Sequence, residues 1–122
     1  MSITIKVDYR DADGQWQPIE LDDDGYLAGH EVARVHLWGA PIMHTLGLTL
    51  LPQLANGQPL LVDDTLMLDQ LENEARIVLD NIVLIINNTT YPKNHSILIQ
   101  RAENILQAAL NAKAYNGRVW IG

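Results

Sequence analysis

The sequence predicts an α+β fold in which a small antiparallel β-sheet packs against an antiparallel pair of long C-terminal helices. Apolar and polar residues alternate from Ile3 to Tyr9, as in a strand with one buried face. Two later segments, about 64–85 and 94–112, carry apolar residues at alternating spacings of three and four, which is typical of amphipathic helices. Residues 118–121 have strand composition and are predicted to rejoin the N-terminal strands. A chain of 122 residues is expected to form one domain, 1–122.

The N-terminal residues predict a β-hairpin. Ile3, Ile5, Val7 and Tyr9 share the predicted inner face, and a turn composition follows at residues 11–14. Residues 16–21 predict the second strand. Pro18 lies within it and has no N–H group, so this strand should be at a sheet edge or carry a bulge. A second turn is predicted at residues 22–25.

Residues 26–62 show the least regular pattern. We predict a third strand at about 30–37, with Ala33, Val35 and Leu37 facing inward and Arg34 and His36 facing outward. Glycines and prolines then interrupt the chain repeatedly between residues 39 and 52. This segment should hold only short helical turns before a turn at Asn56-Gly57.

Two long helices are predicted in the second half of the chain. Asp63 or Asp64 should cap the first helix, and Asn94 or Ser96 should begin the second. The first apolar stripe, about six turns long, comprises Leu68, Leu71, Ala75, Val78, Ile82 and Ile85. The second comprises Leu98, Ala102, Ile105, Ala109 and Ala112. Spacing also predicts two ion pairs on the first helix, Glu72 with Arg76 and Arg76 with Asp80. Pro92 and Asn116-Gly117 should end the helices.

Charge and composition limit the partners. Eight Lys and Arg against 15 Asp and Glu give a net charge of −7, which opposes binding to nucleic acid or to an anionic membrane and attracts a basic protein. No cysteine is present, so disulfides and thiolate metal sites are excluded. The N-terminal residues lack the apolar core of a secretory signal, and no apolar run approaches the ~20 residues of a membrane span. We therefore expect a cytoplasmic protein.

Two acidic segments partly match a calcium-binding loop. Asp22, Asp24, Gly25 and Glu31 fit one such loop, but its first position is Glu20 rather than Asp. A second partial match begins at Tyr9. Because Asp and Gly also favour β-turns, we interpret both segments as turns.

Catalytic motifs are absent from the sequence. His30-Glu31 begins like a zinc protease motif, but the position four residues after His30 is Arg34. His36, His44 and His95 show no metal-ligand spacing. Ser2 and Ser96 do not lie in a nucleophile motif, and no glycine cluster that would hold a phosphate occurs. We therefore predict no metal site, no cofactor and no enzymatic activity.

Several segments of the second half resemble small acidic bacterial immunity proteins of polymorphic-toxin and contact-dependent inhibition systems. The residues that carry the resemblance are Gly57 to Val62, Leu68, Leu71, Glu74-Ala75, Arg101, Asn104-Ile105, Ala108-Ala109 and Gly117 to Gly122. The resemblance implies a non-enzymatic protein that binds and blocks a cognate toxin, often a basic nuclease, inside the cell.

The leading hypothesis is therefore a protein-binding module with a basic partner, and its oligomeric state stays open. The predicted contact residues are acidic, in the second turn and on the first helix: Asp22, Asp23, Asp24, Asp69, Glu72 and Asp80. They would steer a basic partner towards anchor aromatics such as Trp16, Trp38 and Trp120. One alternative is an accessory or small-ligand domain with an apolar pocket lined by residues 38–55. Another is an enzyme that uses His30, His36 or His44 with a carboxylate.

Overall fold

The computed structural model describes residues 2–21 and 25–122. The strands are β1 (Ser2–Arg10), β2 (Trp16–Ile19), β3 (Leu27–His30), β4 (Leu60–Val62) and β5 (Arg118–Ile121). The α-helices are α1 (Pro41–Thr45), α2 (Thr65–Asp80), α3 (Ile82–Asn87) and α4 (His95–Ala114). A π-helix spans Arg34–Trp38 and a 3-10 helix spans Leu51–Asn56. The predicted α+β fold is confirmed.

The strands form one antiparallel sheet around β1. Along one edge of β1, β5 pairs antiparallel and in turn pairs with β4, so the order is β2-β1-β5-β4. Along the other edge, β2 pairs with Val7 to Arg10 and β3 pairs with Ser2 to Thr4. The predicted return of the C-terminal strand to the N-terminal sheet is confirmed. β2 is an edge strand, as Pro18 predicted.

The alternation in β1 separates the two faces of the sheet. Ile3, Ile5 and Val7 are buried, and so are Val119 and Ile121, which are paired with Val7 and Ile5 in β5. Helix α4 packs against this inner face through contacts with β1, β3 and β5. The opposite side chains of the same strands lie on a face that no described helix covers.

The long helices have the predicted caps. The Asp64 side chain accepts from the Met67 N–H, and the Asn94 side chain accepts from the Ile97 N–H. Lys113, near the C-terminus of α4, bonds to Asp69 and Glu72 near the N-terminus of α2, so the two helices are antiparallel. Asn116 is in the left-handed conformation with φ 53° just after α4, as predicted.

The first helix is not continuous, contrary to the six-turn prediction. Asn81 interrupts it with φ −130° and ψ 30°, and α3 begins one residue later. The Asn81 side-chain amide donates to the Ile77 carbonyl, four residues earlier. This local hydrogen bond competes with the regular helix. The apolar stripe continues across the break, because Val78 and Ile85 are both fully buried.

The predicted strand at 30–37 is wrong. The chain forms the π-helix there, and the Gly39 N–H donates to the Arg34 carbonyl, five residues earlier. Ala33 and Leu37 are buried, but Val35 is 57% exposed, whereas a strand would have placed it inward with them. Trp38 is fully buried, and its indole N–H donates to the Ala28 carbonyl in β3. The short helical turns predicted before Asn56-Gly57 are confirmed.

A buried carboxylate joins this segment to α2. Glu74 is only 2% exposed, and its carboxylate accepts from the backbone N–H groups of Thr49, Leu50 and Leu51 at 3.0–3.1 Å. The Gln70 side-chain amide donates to the same carboxylate. Leu51 begins the 3-10 helix, Leu50 is its N-cap and Thr49 precedes the cap, so these N–H groups lie at the helix start, where helix geometry leaves donors without partners. Glu74 therefore caps the 3-10 helix from a neighbouring element.

Candidate binding face

The outer side chains of the sheet form a surface that combines two tryptophans with four charged residues. We call it the open face, and it is centred on Lys6, Asp8, Arg10, Trp16, Arg118 and Trp120. Side chains opposite each other on paired strands share a face. The register pairs Lys6 with Trp120, Asp8 with Arg118 and Arg10 with Trp16, which brings residues from three strands together.

Arg118 lies at the centre of the open face. Its Nε donates to the Asp8 carboxylate at 2.8 Å, and a second nitrogen lies 3.4 Å from the other carboxylate oxygen. The guanidinium carbon is 3.6 Å from the ring centre of Trp16 and 5.4 Å from that of Trp120. Both distances are within the range of cation–π attraction. Arg118 thus holds the two tryptophans in one arrangement, and Trp16 keeps 36% of its surface exposed.

Two depressions adjoin β1 on this surface. The larger has a volume of about 600 Å³, and Trp16, Pro18 and Tyr26 contribute to its lining. The smaller has a volume of about 310 Å³, and Pro59 and Trp120 contribute to its lining. Lys6 and Asp8 line both depressions. The open face is therefore uneven, with two depressions in which aromatic and proline side chains lie beside charged groups.

Acidic residues adjoin both ends of β2. Asp11 precedes it in a turn and accepts from the backbone N–H groups of Asp13 and Gln15 and from the Gln17 amide. These hydrogen bonds, the one from Gln15 first, lower the pKa of Asp11 from its ordinary value. This geometry fits the turn interpretation of residues 11–14. Asp13 and Glu20 are exposed. Asp22, Asp23 and Asp24 lie outside the described residues.

The predicted acidic contacts on α2 have different environments. Asp69 and Glu72 both bind Lys113, and Glu72 also accepts from Arg76 at 3.0 Å. The hydrogen bond from Lys113, followed by the one from Arg76, lowers the pKa of Glu72. The hydrogen bonds that Lys113 donates to Asp69 and, second, to Glu72 raise the pKa of Lys113. Asp80 is exposed and forms no ion pair among the described residues, so the predicted Arg76–Asp80 pair is wrong. Much of the acidic charge on α2 is compensated locally.

The structure does not bring the histidines into a cluster. All four side chains are exposed: His30 ends β3, His36 is in the π-helix, His44 is in α1 and His95 begins α4. Among residues 2–21 and 25–122, no group of three or more histidine, aspartate or glutamate side chains is arranged to hold a metal ion. Glu31, the last position of one calcium-like loop, instead pairs with Arg34.

The sequence predicted Trp16, Trp38 and Trp120 as anchors. Trp38 is fully buried, so that prediction is wrong for it, and the sequence did not identify Arg118, Asp8 or Lys6. The alternation in β1 already placed Lys6 and Asp8 together on the polar face. Their meeting with Arg118 and Trp120 depends on the pairing of β1 with β5, more than 100 residues later in the chain. The spacing of residues within one segment cannot predict the register between two strands so far apart in the sequence.

Comparison of the chain with protein-family models, curated proteins and solved structures finds no significant match. In the part of the chain that the structure describes, none of the helices has the length and apolar character to cross a bilayer.

Proposed function

We propose that this chain is a non-enzymatic protein-binding module and that the open face of its sheet is the docking surface. The observation that carries the proposal is the Arg118 cluster, in which one guanidinium stacks on Trp16, approaches Trp120 and is fixed by Asp8. Tryptophan and arginine are the residues most enriched at the energetic centres of protein interfaces. Rings held in place before binding lose little conformational entropy when a partner arrives.

The charge of the chain supports a basic partner. The net charge is −7, and the exposed Asp13 and Glu20 flank the strand that carries Trp16. A negative field of this kind accelerates the approach of a positively charged protein. The resemblance to immunity proteins adds a class for that partner: a basic toxin whose action is blocked inside the cell when this chain covers its working surface.

The small-ligand alternative gains less support. That hypothesis placed an apolar pocket within residues 38–55, whereas the described depressions on the sheet are lined by residues of β1, β2, β5 and neighbouring loops. In the 38–55 segment, Trp38, Met43, Leu51 and Leu54 are fully buried in the core. Side chains that are fully buried in the core are not available to line an open pocket.

The test uses the product of a neighbouring gene that encodes a basic toxin domain. Isothermal titration calorimetry should show tight binding, and co-expression of this chain should restore the growth of cells that produce the toxin. Trp16→Ala and Trp120→Ala should each weaken binding about thirtyfold or more, as expected for residues at the centre of an interface. Tyr115→Ala is the matched control, because Tyr115 is also an exposed aromatic but lies outside the open face.

Circular dichroism of each variant separates loss of binding from loss of fold. A gene neighbourhood without any toxin counts against the immunity role. Binding that survives both tryptophan substitutions contradicts the proposed docking surface.

A further inference from the structure

Two cations of the open face have no carboxylate partner among the described residues, although the whole chain is acidic. Lys6 and Arg10 are exposed, lie on the same side of β1 and form no ion pair with any described residue. They are four residues apart, which corresponds to about 13 Å along an extended strand. Asp8 lies between them, but Arg118 neutralises it. Among the described residues, the centre of the face therefore has two cations without a carboxylate partner.

The other basic side chains of the protein have acceptors. Arg34, Arg76, Lys113 and Arg118 each pair with a carboxylate, Lys93 donates to the Ile86 and Thr89 carbonyls, and Arg101 donates to the Gln100 amide oxygen. Lys6 and Arg10 thus differ from the remaining cations in having no described acceptor. They are also the two cations that flank the Asp8–Arg118 pair.

Both cations lie beside apolar surface. The Arg10 guanidinium is 5.0 Å from the ring centre of Trp16, and Lys6 lines the depressions to which Trp16 and Trp120 contribute. A partner that covers the tryptophans also removes water from these cations. A carboxylate that meets them there gains a charge-assisted hydrogen bond, whereas a lysine or an apolar group would leave the positive charge buried and unpaired.

We propose that the docked protein presents an acidic segment to the open face, with carboxylates at Lys6 and Arg10, although its overall charge is basic. This inference rests on the proposed function and specifies the chemistry of the partner at the contact. Long-range attraction follows the total charge, while the register of the docked complex follows the charges in contact. Phosphate groups would also suit two cations, but a net charge of −7 disfavours a nucleic acid.

The first experiment measures the sign of the field at the tryptophans without a partner. Trp38 is fully buried, so collisional quenching of fluorescence reports on Trp16 and Trp120. At an ionic strength of about 0.15 M, which screens charges farther away than about 8 Å, the ratio of iodide to caesium quenching should exceed the ratio for free N-acetyltryptophanamide at least about twofold, because cations beside the rings concentrate the anion. The variant Lys6→Gln with Arg10→Gln should lose this preference. The control, Asn73→Glu with Gln107→Glu, makes the same change in net charge on exposed helix positions and should keep it.

The second experiment measures contact with an acidic ligand. A short oligoglutamate peptide should perturb the tryptophan emission of the unmodified chain more than an oligolysine peptide of the same length, and the Lys6/Arg10 variant should lose the difference. An iodide-to-caesium quenching ratio below that of free N-acetyltryptophanamide, or tighter binding of oligolysine, overturns the inference. Tighter binding of single-stranded oligothymidylate than of oligoglutamate also overturns it, in favour of a nucleic acid.

The two proposals fail in different ways. If the unmodified chain binds no neighbouring toxin, the proposed function fails while the quenching ratio still reports the sign of the face. If it binds the toxin, the Lys6/Arg10 variant should bind at least about tenfold more weakly and the control variant should bind as before. Unchanged or tighter binding by the Lys6/Arg10 variant contradicts the inference.

Discussion

Replacement of Glu74 by Gln tests the account of how residues 49–56 are held against α2. The substitution preserves the size of the side chain but removes its charge. In the native chain both carboxylate oxygens accept hydrogen bonds from the backbone of residues 49–51. A glutamine offers one acceptor oxygen, and its NH₂ group must face N–H donors. At least one buried N–H therefore loses its acceptor.

The expected cost follows from these contacts. A hydrogen bond to a charged group contributes about 1.5–3 kcal/mol, and a buried donor without a partner costs about 1–3 kcal/mol. Since one acceptor oxygen remains, we expect a net loss of about 2–4 kcal/mol in the free energy of unfolding. For a chain of this length, an unfolding entropy of about 2.1 cal/mol/K per residue converts that loss into a fall of about 8–16 °C in Tm.

Urea unfolding followed by circular dichroism measures the loss. Glu103→Gln is the matched control, because Glu103 is exposed on α4 and should change stability by less than about 0.5 kcal/mol. A Glu74→Gln variant within about 0.5 kcal/mol of the native chain would refute the capping role.

Two further predictions concern the π-helix and the α2–α4 contact. Leu37→Ala should destabilise the fold by about 2–5 kcal/mol in urea unfolding, while Val35→Ala should cost less than about 0.5 kcal/mol; equal losses would instead match a strand with both side chains inward. The pKa of Glu72 is lowered in the folded state from its ordinary value of 4.5, so its ion pairs contribute fully to stability when the pH is above 4.5. This contribution is lost as the pH falls through the lowered pKa of the folded state. The difference in Tm between the native chain and Glu72→Gln should therefore narrow on acidification, and a difference that widens would contradict this assignment.

The elements that the sequence predicted are those whose signals are local. Asp64 and Asn94 cap helices because a short side-chain oxygen can reach the first free N–H groups. The stripe from Leu68 to Val78 is buried because three-four spacing follows the helical turn. The alternation in β1 holds for the corresponding reason in a strand.

The segment 30–37 was mispredicted as a strand because its pattern is ambiguous. Ala33, Val35 and Leu37 alternate with polar residues as in a strand, yet Ala33, Leu37 and Trp38 are also spaced for one side of a helix. The hydrogen bond from the Trp38 indole to the Ala28 carbonyl is a tertiary contact. This hydrogen bond favours the π-helix at residues 34–38, which the local sequence pattern does not predict. β4 was missed because it is three residues long and depends on its pairing with β5.

The candidate site was only partly predictable for the same reason. Tryptophan composition indicated anchors, and overall charge indicated the sign of a partner. The pairing of Arg118 with Asp8 and the position of Lys6 opposite Trp120 depend on a register between strands at opposite ends of the chain.

Hydroxyl-radical footprinting of the complex with the neighbouring toxin tests the central claim most directly. Oxidation of Trp16 and Trp120, measured by mass spectrometry with and without the toxin, should fall severalfold on binding. Oxidation of Tyr115, an exposed ring outside the open face, should not change. Protection of Tyr115 with unchanged oxidation of both tryptophans would place the docking surface elsewhere and contradict the account.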